Sequence, residues 1–80
     1  MKTVDLQYFA LLREERGLSR EKRTTAAGSA RELYDELKAE YAFKLDAGAL
    51  KVAINGDFAA LDTIIEDGDE IVFLPPVSGG

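Results

Sequence analysis

Residues 28–41 restrict this chain more than any other segment. Gly28-Ser29 precede a run in which Ala30, Leu33, Tyr34, Leu37 and Tyr41 recur at helical spacing, with Arg31, Glu32, Asp35, Glu36 and Lys38 elsewhere around the turn. Ser29, followed three residues later by Glu32, fits a capping box, in which the two side chains satisfy backbone donors that a helix start leaves unpaired. A helix with one apolar stripe has to bury it. The chain has 80 residues, enough for one domain, and the stripe is expected to pack on a sheet. Its tyrosines are read as core residues rather than cofactor contacts.

Strand patterns supply that sheet. In residues 3–9, Val4, Leu6 and Tyr8 alternate with Thr3, Asp5, Gln7 and Phe9, the pattern of a half-buried strand. Residues 10–16 favour a short helix that Gly17 is placed to stop. Residues 21–26 read as a weak second strand. Residues 50–55 alternate again, with Leu50, Val52 and Ile54 inward, and Asn55-Gly56 is a turn signal. Asp67-Gly68 marks a second tight turn inside the acidic stretch 66–70, which is read as a solvated hairpin. Residues 70–74 form the last strand, and Pro75-Pro76 end it because proline cannot donate to a ladder. The order is strand, short helix, strand, long helix, strand, turn region, strand. One helix on one face of a small mixed sheet is an α+β arrangement, and the ubiquitin-like β-grasp is the expected fold. Residues 1–74 make the domain; residues 75–80 are a flexible C-terminal tail.

Composition narrows the chemistry. The chain has no cysteine and no histidine, which excludes thiolate or imidazole metal sites and any triad that needs a histidine base. The net charge of −5 argues against nucleic acid, which calls for a basic footprint. No apolar run approaches the ~20 residues of a membrane span, and Asp5 and Gln7 interrupt the first apolar stretch, so a cytoplasmic protein without a signal peptide is expected. What remains reactive are carboxylates, lysines, hydroxyls and the chain ends.

Two features stand out as functional. The first is the tail, Pro75-Pro76-Val77-Ser78-Gly79-Gly80. The prolines favour an extended chain, six residues reach roughly 20 Å, and glycines without Cβ fit a channel that a side chain would block. The bland reading is a frayed terminus. The second is the outer sheet face. If Ile71 and Phe73 face the helix, Val72 and Leu74 face away, together with Phe9 and Ala53, and Phe58 sits nearby in a polar loop. A sheet covered by one helix is expected to be polar on its other face, so this cluster is read as a partner site.

The pattern resembles the small subunit of molybdopterin synthase, a family of sulfur carriers. The matching stretches are Phe9-Ala10-Leu11-Leu12-Arg13-Glu14, Val52-Ala53-Ile54-Asn55-Gly56, Asp67-Gly68-Asp69-Glu70 and, most specific, Phe73-Leu74-Pro75-Pro76-Val77-Ser78-Gly79-Gly80. The resemblance implies that the chain binds no cofactor of its own. An ATP-using adenylyltransferase of the ubiquitin-activating type adenylates the terminal glycine, sulfur transfer makes a thiocarboxylate, and the tail enters the large catalytic subunit, which builds the dithiolene of molybdopterin. It implies a heterotetramer of small and large subunits. It assigns the sulfur to Gly80 and channel access to Gly79. It places Phe9, Phe58 and Leu74 at the family's partner-facing apolar patch, although Phe58 and Leu74 differ in side-chain type from some members. With Val72 of the outer face and Pro75, Pro76, Val77 and Ser78 of the tail, these are the expected partner-binding residues. Catalytic groups are expected on the partners. The alternatives are a carrier for thiamine synthesis, tRNA thiolation or cysteine synthesis, a ubiquitin-like modifier of lysines, and a plain interaction domain.

Overall fold

The computed structural model describes residues 1–76. The chain runs β1 (Lys2–Tyr8), α1 (Ala10–Arg16), β2 (Arg20–Thr25), α2 (Ala30–Tyr41), a 3-10 turn (Ala47–Ala49), β3 (Lys51–Ile54), β4 (Asp57–Ala59) and β5 (Glu70–Leu74). The sheet order is β2-β1-β5-β3-β4. β1 and β5 pair in parallel at the centre, with Leu6 beside Ile71 and Tyr8 beside Phe73. The other pairings are antiparallel. A parallel pair cannot be closed by a hairpin; here the chain between β1 and β5 includes α2. The result is the ubiquitin-like β-grasp.

The expected alternation in β1 holds: Val4, Leu6 and Tyr8 are buried. They meet Ala30, Leu33, Tyr34 and Leu37 of α2, and Val52, Ile71 and Phe73 of the sheet, in one core cluster. The N-terminus of α2 is capped as its sequence indicates. Ser29 Oγ accepts from the Glu32 N–H at 3.2 Å, and the Glu32 carboxylate reaches back to the Gly28 N–H at 2.8 Å, one residue earlier than the usual box. The β1–β2 connection is spanned by α1, which Gly17 ends in a left-handed conformation (φ +87°) while its N–H donates to the Arg13 carbonyl. Asn55 and Gly56 both have positive φ, the signature of the two-residue hairpin turn that matches strand twist.

Several expectations need correction. Phe9 does not end the first strand: β1 stops at Tyr8, and Phe9 is the extended residue before α1 (φ −127°, ψ 155°). Phe58 is not in a loop but in β4, the return strand of the Asn55-Gly56 hairpin, opposite Ala53. Three residues are too few for alternation to show in sequence. The second strand is Arg20–Thr25 rather than 21–26. Ile54 is only half-buried, packed against the edge of the core, and so is Tyr41 at the end of the helical stripe. Phe43, just past α2, is buried instead and stacks on Tyr34 at a centroid distance of 5.9 Å.

Candidate functional site

The site is the end of the sheet where the tail leaves. β5 ends at Leu74, whose strand neighbour is Lys51 of β3. Pro75 follows half-buried, Pro76 exposed. Next to them lie Phe9, the residue before α1, and Ala10 and Leu11, with which α1 begins. Together with Leu45, from the loop after α2, these residues line an open apolar groove of about 670 Å³. Phe9 and Leu11 are more than a third exposed, an arrangement that water disfavours and an apolar partner relieves.

Each wall has a local cause. Leu12 is fully buried and pins α1 to the core, which leaves Phe9 and Leu11 on the open side. Tyr34 donates from its hydroxyl to the Leu45 carbonyl at 2.8 Å and so fixes the loop that carries Leu45. Burial pushes the Tyr34 hydroxyl up to about 12, so it stays a donor at neutral pH. The far end of α1 is held by Arg16, whose guanidinium lies 4.1 Å from the Tyr41 ring centroid and donates to both oxygens of Glu21 at 2.8 and 2.9 Å. The Tyr8 hydroxyl donates to the same carboxylate at 2.6 Å. These contacts lower the Glu21 pKa, Arg16 being the largest cause; burial, then Glu21, raise that of Tyr8.

The outer face divides into two parts. Phe9, Leu74, Pro75 and Pro76 converge on the groove. Val72, Ala53 and Phe58 form a row across β5, β3 and β4, with Phe58 74% exposed at the sheet edge. Phe58 lines a separate hollow of about 460 Å³ with Leu50, Lys51 and Leu61, so it belongs to the same face but not to the groove. Ala10, Leu11 and Leu45 were not singled out from sequence. Leu11 carried a signal, an apolar residue next to Leu12 on a short helix; Leu45 carried none. Val77, Ser78, Gly79 and Gly80 lie outside the described residues. Among the described residues, no group of three His, Cys, Asp or Glu could hold a metal ion, and no helix is long and apolar enough to cross a membrane.

The ThiS family model matches residues 6–80. This chain belongs to the ThiS family. Within that family setting it is 35% identical over 80 residues to the molybdopterin synthase sulfur carrier subunit of Haemophilus influenzae, an alignment covering 96% of this chain and 99% of the relative. Among solved structures, the small archaeal modifier protein 1 of Methanosarcina acetivorans superimposes with a TM-score of 0.77 at 27% identity, covering 100% of this chain and 98% of that one. The complex of subunits 1 and 2 of the molybdopterin-converting factor from Helicobacter pylori also matches this ThiS-family chain. Its TM-score is 0.65 at 29% identity, with 98% of this chain and 99% of that one covered.

Proposed function

We propose that this ThiS-family chain is the sulfur carrier of molybdenum cofactor synthesis. The single observation that carries the pathway is the 35% identity to a molybdopterin synthase sulfur carrier subunit along nearly its whole length. The groove adds a physical reason: an apolar docking surface is built into the residues that precede the Gly79-Gly80 tail. In this reading the Gly80 carboxylate attacks the α-phosphorus of ATP on an adenylyltransferase and releases pyrophosphate. The acyl adenylate then has a good leaving group, and a sulfide donor displaces AMP to give the thiocarboxylate. A large subunit takes in the tail and passes the sulfur to a pterin precursor; the complex of subunits 1 and 2 from Helicobacter pylori supports a partner subunit of this kind. The carrier contributes position; its partners supply the catalytic groups. ATP and sulfide are substrates of those partners, and no cofactor is needed on this chain.

Intact-mass spectrometry after incubation with the activating enzyme, ATP and a sulfur source tests the mechanism. The expected product carries one sulfur in place of oxygen, located on Gly80. Deleting Gly80 pulls the carboxylate back by about 3.5 Å, and because adenylation needs near-attack placement, no thiocarboxylate should form. Equal product on the shortened chain, or sulfur elsewhere, refutes the assignment. The likeness to small archaeal modifier protein 1 favours a second reading, in which the same activated terminus is transferred to lysines. Amide-linked conjugates in cells would support it.

A further inference from the structure

The fold sorts charge along the strands in a way that net charge hides. Beside the groove, four exposed cations lie at the tail end of the molecule. Arg13 is on α1. Arg20 opens β2, next to the Ser19 carbonyl that accepts the Tyr8 N–H. Lys44 precedes the groove residue Leu45. Lys51 sits opposite Leu74. None of the four makes an ion pair among the described residues. The acidic groups near this end are Glu14, Glu15, Glu21 and Asp46; Glu15 is half-buried, Glu21 is paired with Arg16 and Asp46 with Lys38. The opposite end holds Asp57, Glu66, Asp67, Asp69 and Glu70 around the two tight turns, with Lys2 as the cation among them. The length of β5, roughly 13 Å, separates Lys51, opposite Leu74, from Glu70. That exceeds the Debye length of ~8 Å at physiological salt, so an approaching surface senses the two ends of the strand separately. Arg20, level with Val72, lies nearer the middle and lines a hollow with Asp5, Glu21 and Glu70. A chain of net charge −5 thus leads with a positive, apolar-centred face.

We infer that the tail-root groove docks on a partner surface that presents an apolar side chain ringed by aspartate and glutamate, and that Arg13, Arg20, Lys44 and Lys51 steer the carrier onto it tail first. This rests on the carrier reading and specifies the surface of the large subunit around the mouth of its channel. The distant acidic end is repelled by the same surface, so the wrong end does not engage. Rim charges act mainly on association rate and on its salt dependence rather than on the final contact.

Stopped-flow association with the large subunit of the same genome, across ionic strength, tests this. The wild-type association rate should fall as salt rises. Arg20→Glu and Lys51→Glu should each slow association by about tenfold at low salt and converge with wild type at high salt. Glu66→Lys, at the far end, should leave the rate unchanged or raise it. Denaturation midpoints check that all three variants fold. A rate that ignores salt or rises with it overturns the proposal, as does an equal loss for Glu66→Lys. Binding to a DNA duplex that the two tail-end variants abolish would reassign the rim to phosphate and overturn it too. A large subunit that fails to bind at any salt sinks the carrier reading instead. The same series with the activating enzyme then decides the rim, and binding to neither overturns both.

Discussion

Tyr34 shows how one residue serves both core and site. Its ring packs between Phe43 and Phe73, while its hydroxyl holds the Leu45 carbonyl. Replacing Tyr34 by Phe keeps the ring and leaves the carbonyl without its donor. The expected loss is about 1 kcal/mol, read as a lower denaturant midpoint, with weaker partner binding because Leu45 is released. Ala42 offers the opposite case. It ends α2 in the left-handed region (φ 57°), where an L residue strains by about 1 kcal/mol and glycine is at home. Ala42→Gly should therefore raise the denaturation midpoint, although alanine is elsewhere the better helix former. A lowered midpoint would show that the cap is not strained.

At the scale of elements, α2 and α1 are held by different forces. The inner face of α2 is apolar, and Leu37 is fully buried. Leu37→Ala should destabilise the domain by about 2–5 kcal/mol, a large share of what a small domain has; an unchanged urea midpoint would refute the packing. The far end of α1 relies instead on the Arg16–Glu21 pair, and β2 is tied to α2 by Arg23, which donates to Glu36 and Glu40 at 2.8 Å each. The Glu21 pKa is lowered in the folded state. Its contribution is therefore fully present above the unfolded value near 4.5 and is lost as pH falls through the lower folded value. Glu21→Gln should be less stable than wild type at neutral pH and should flatten the acid limb of a stability-versus-pH curve. A parallel limb in the variant would assign acid unfolding to other carboxylates.

The whole molecule places an apolar groove, a positive rim and the root of the tail at one end. Phe9→Asp or Leu74→Asp puts a charge into the groove without touching the buried core. An apolar anchor in a desolvated interface contributes 2 kcal/mol or more, so each variant should bind the large subunit at least about thirtyfold more weakly by calorimetry while unfolding at the wild-type midpoint. Normal binding by both would remove the groove from the interface. Phe58→Asp, a strand away in the other hollow, measures separately whether the interface extends to the sheet edge.

Local signals in the chain were enough for the helix stripe, its cap, both tight turns, the alternation of β1 and the stop at Pro75. Each depends on residues a few positions apart, where backbone geometry alone relates side chains. The α+β order followed, because a single amphipathic helix has few ways to bury its stripe. What needed the folded molecule was everything set by distant pairing. β4 exists because β3 offers it an edge, not because Asp57-Phe58-Ala59 favours a strand. Phe9 left the first strand because the chain turns there into α1. Leu45 became part of the groove through a hydrogen bond from a helix eleven residues away. The charge polarity, invisible in a net of −5, arises because parallel β1 and β5 and antiparallel β3 bring Lys51 beside Leu74 and leave the acidic turn at the other end. Sequence records which residues are present; only long-range strand pairing decides which of them share a surface.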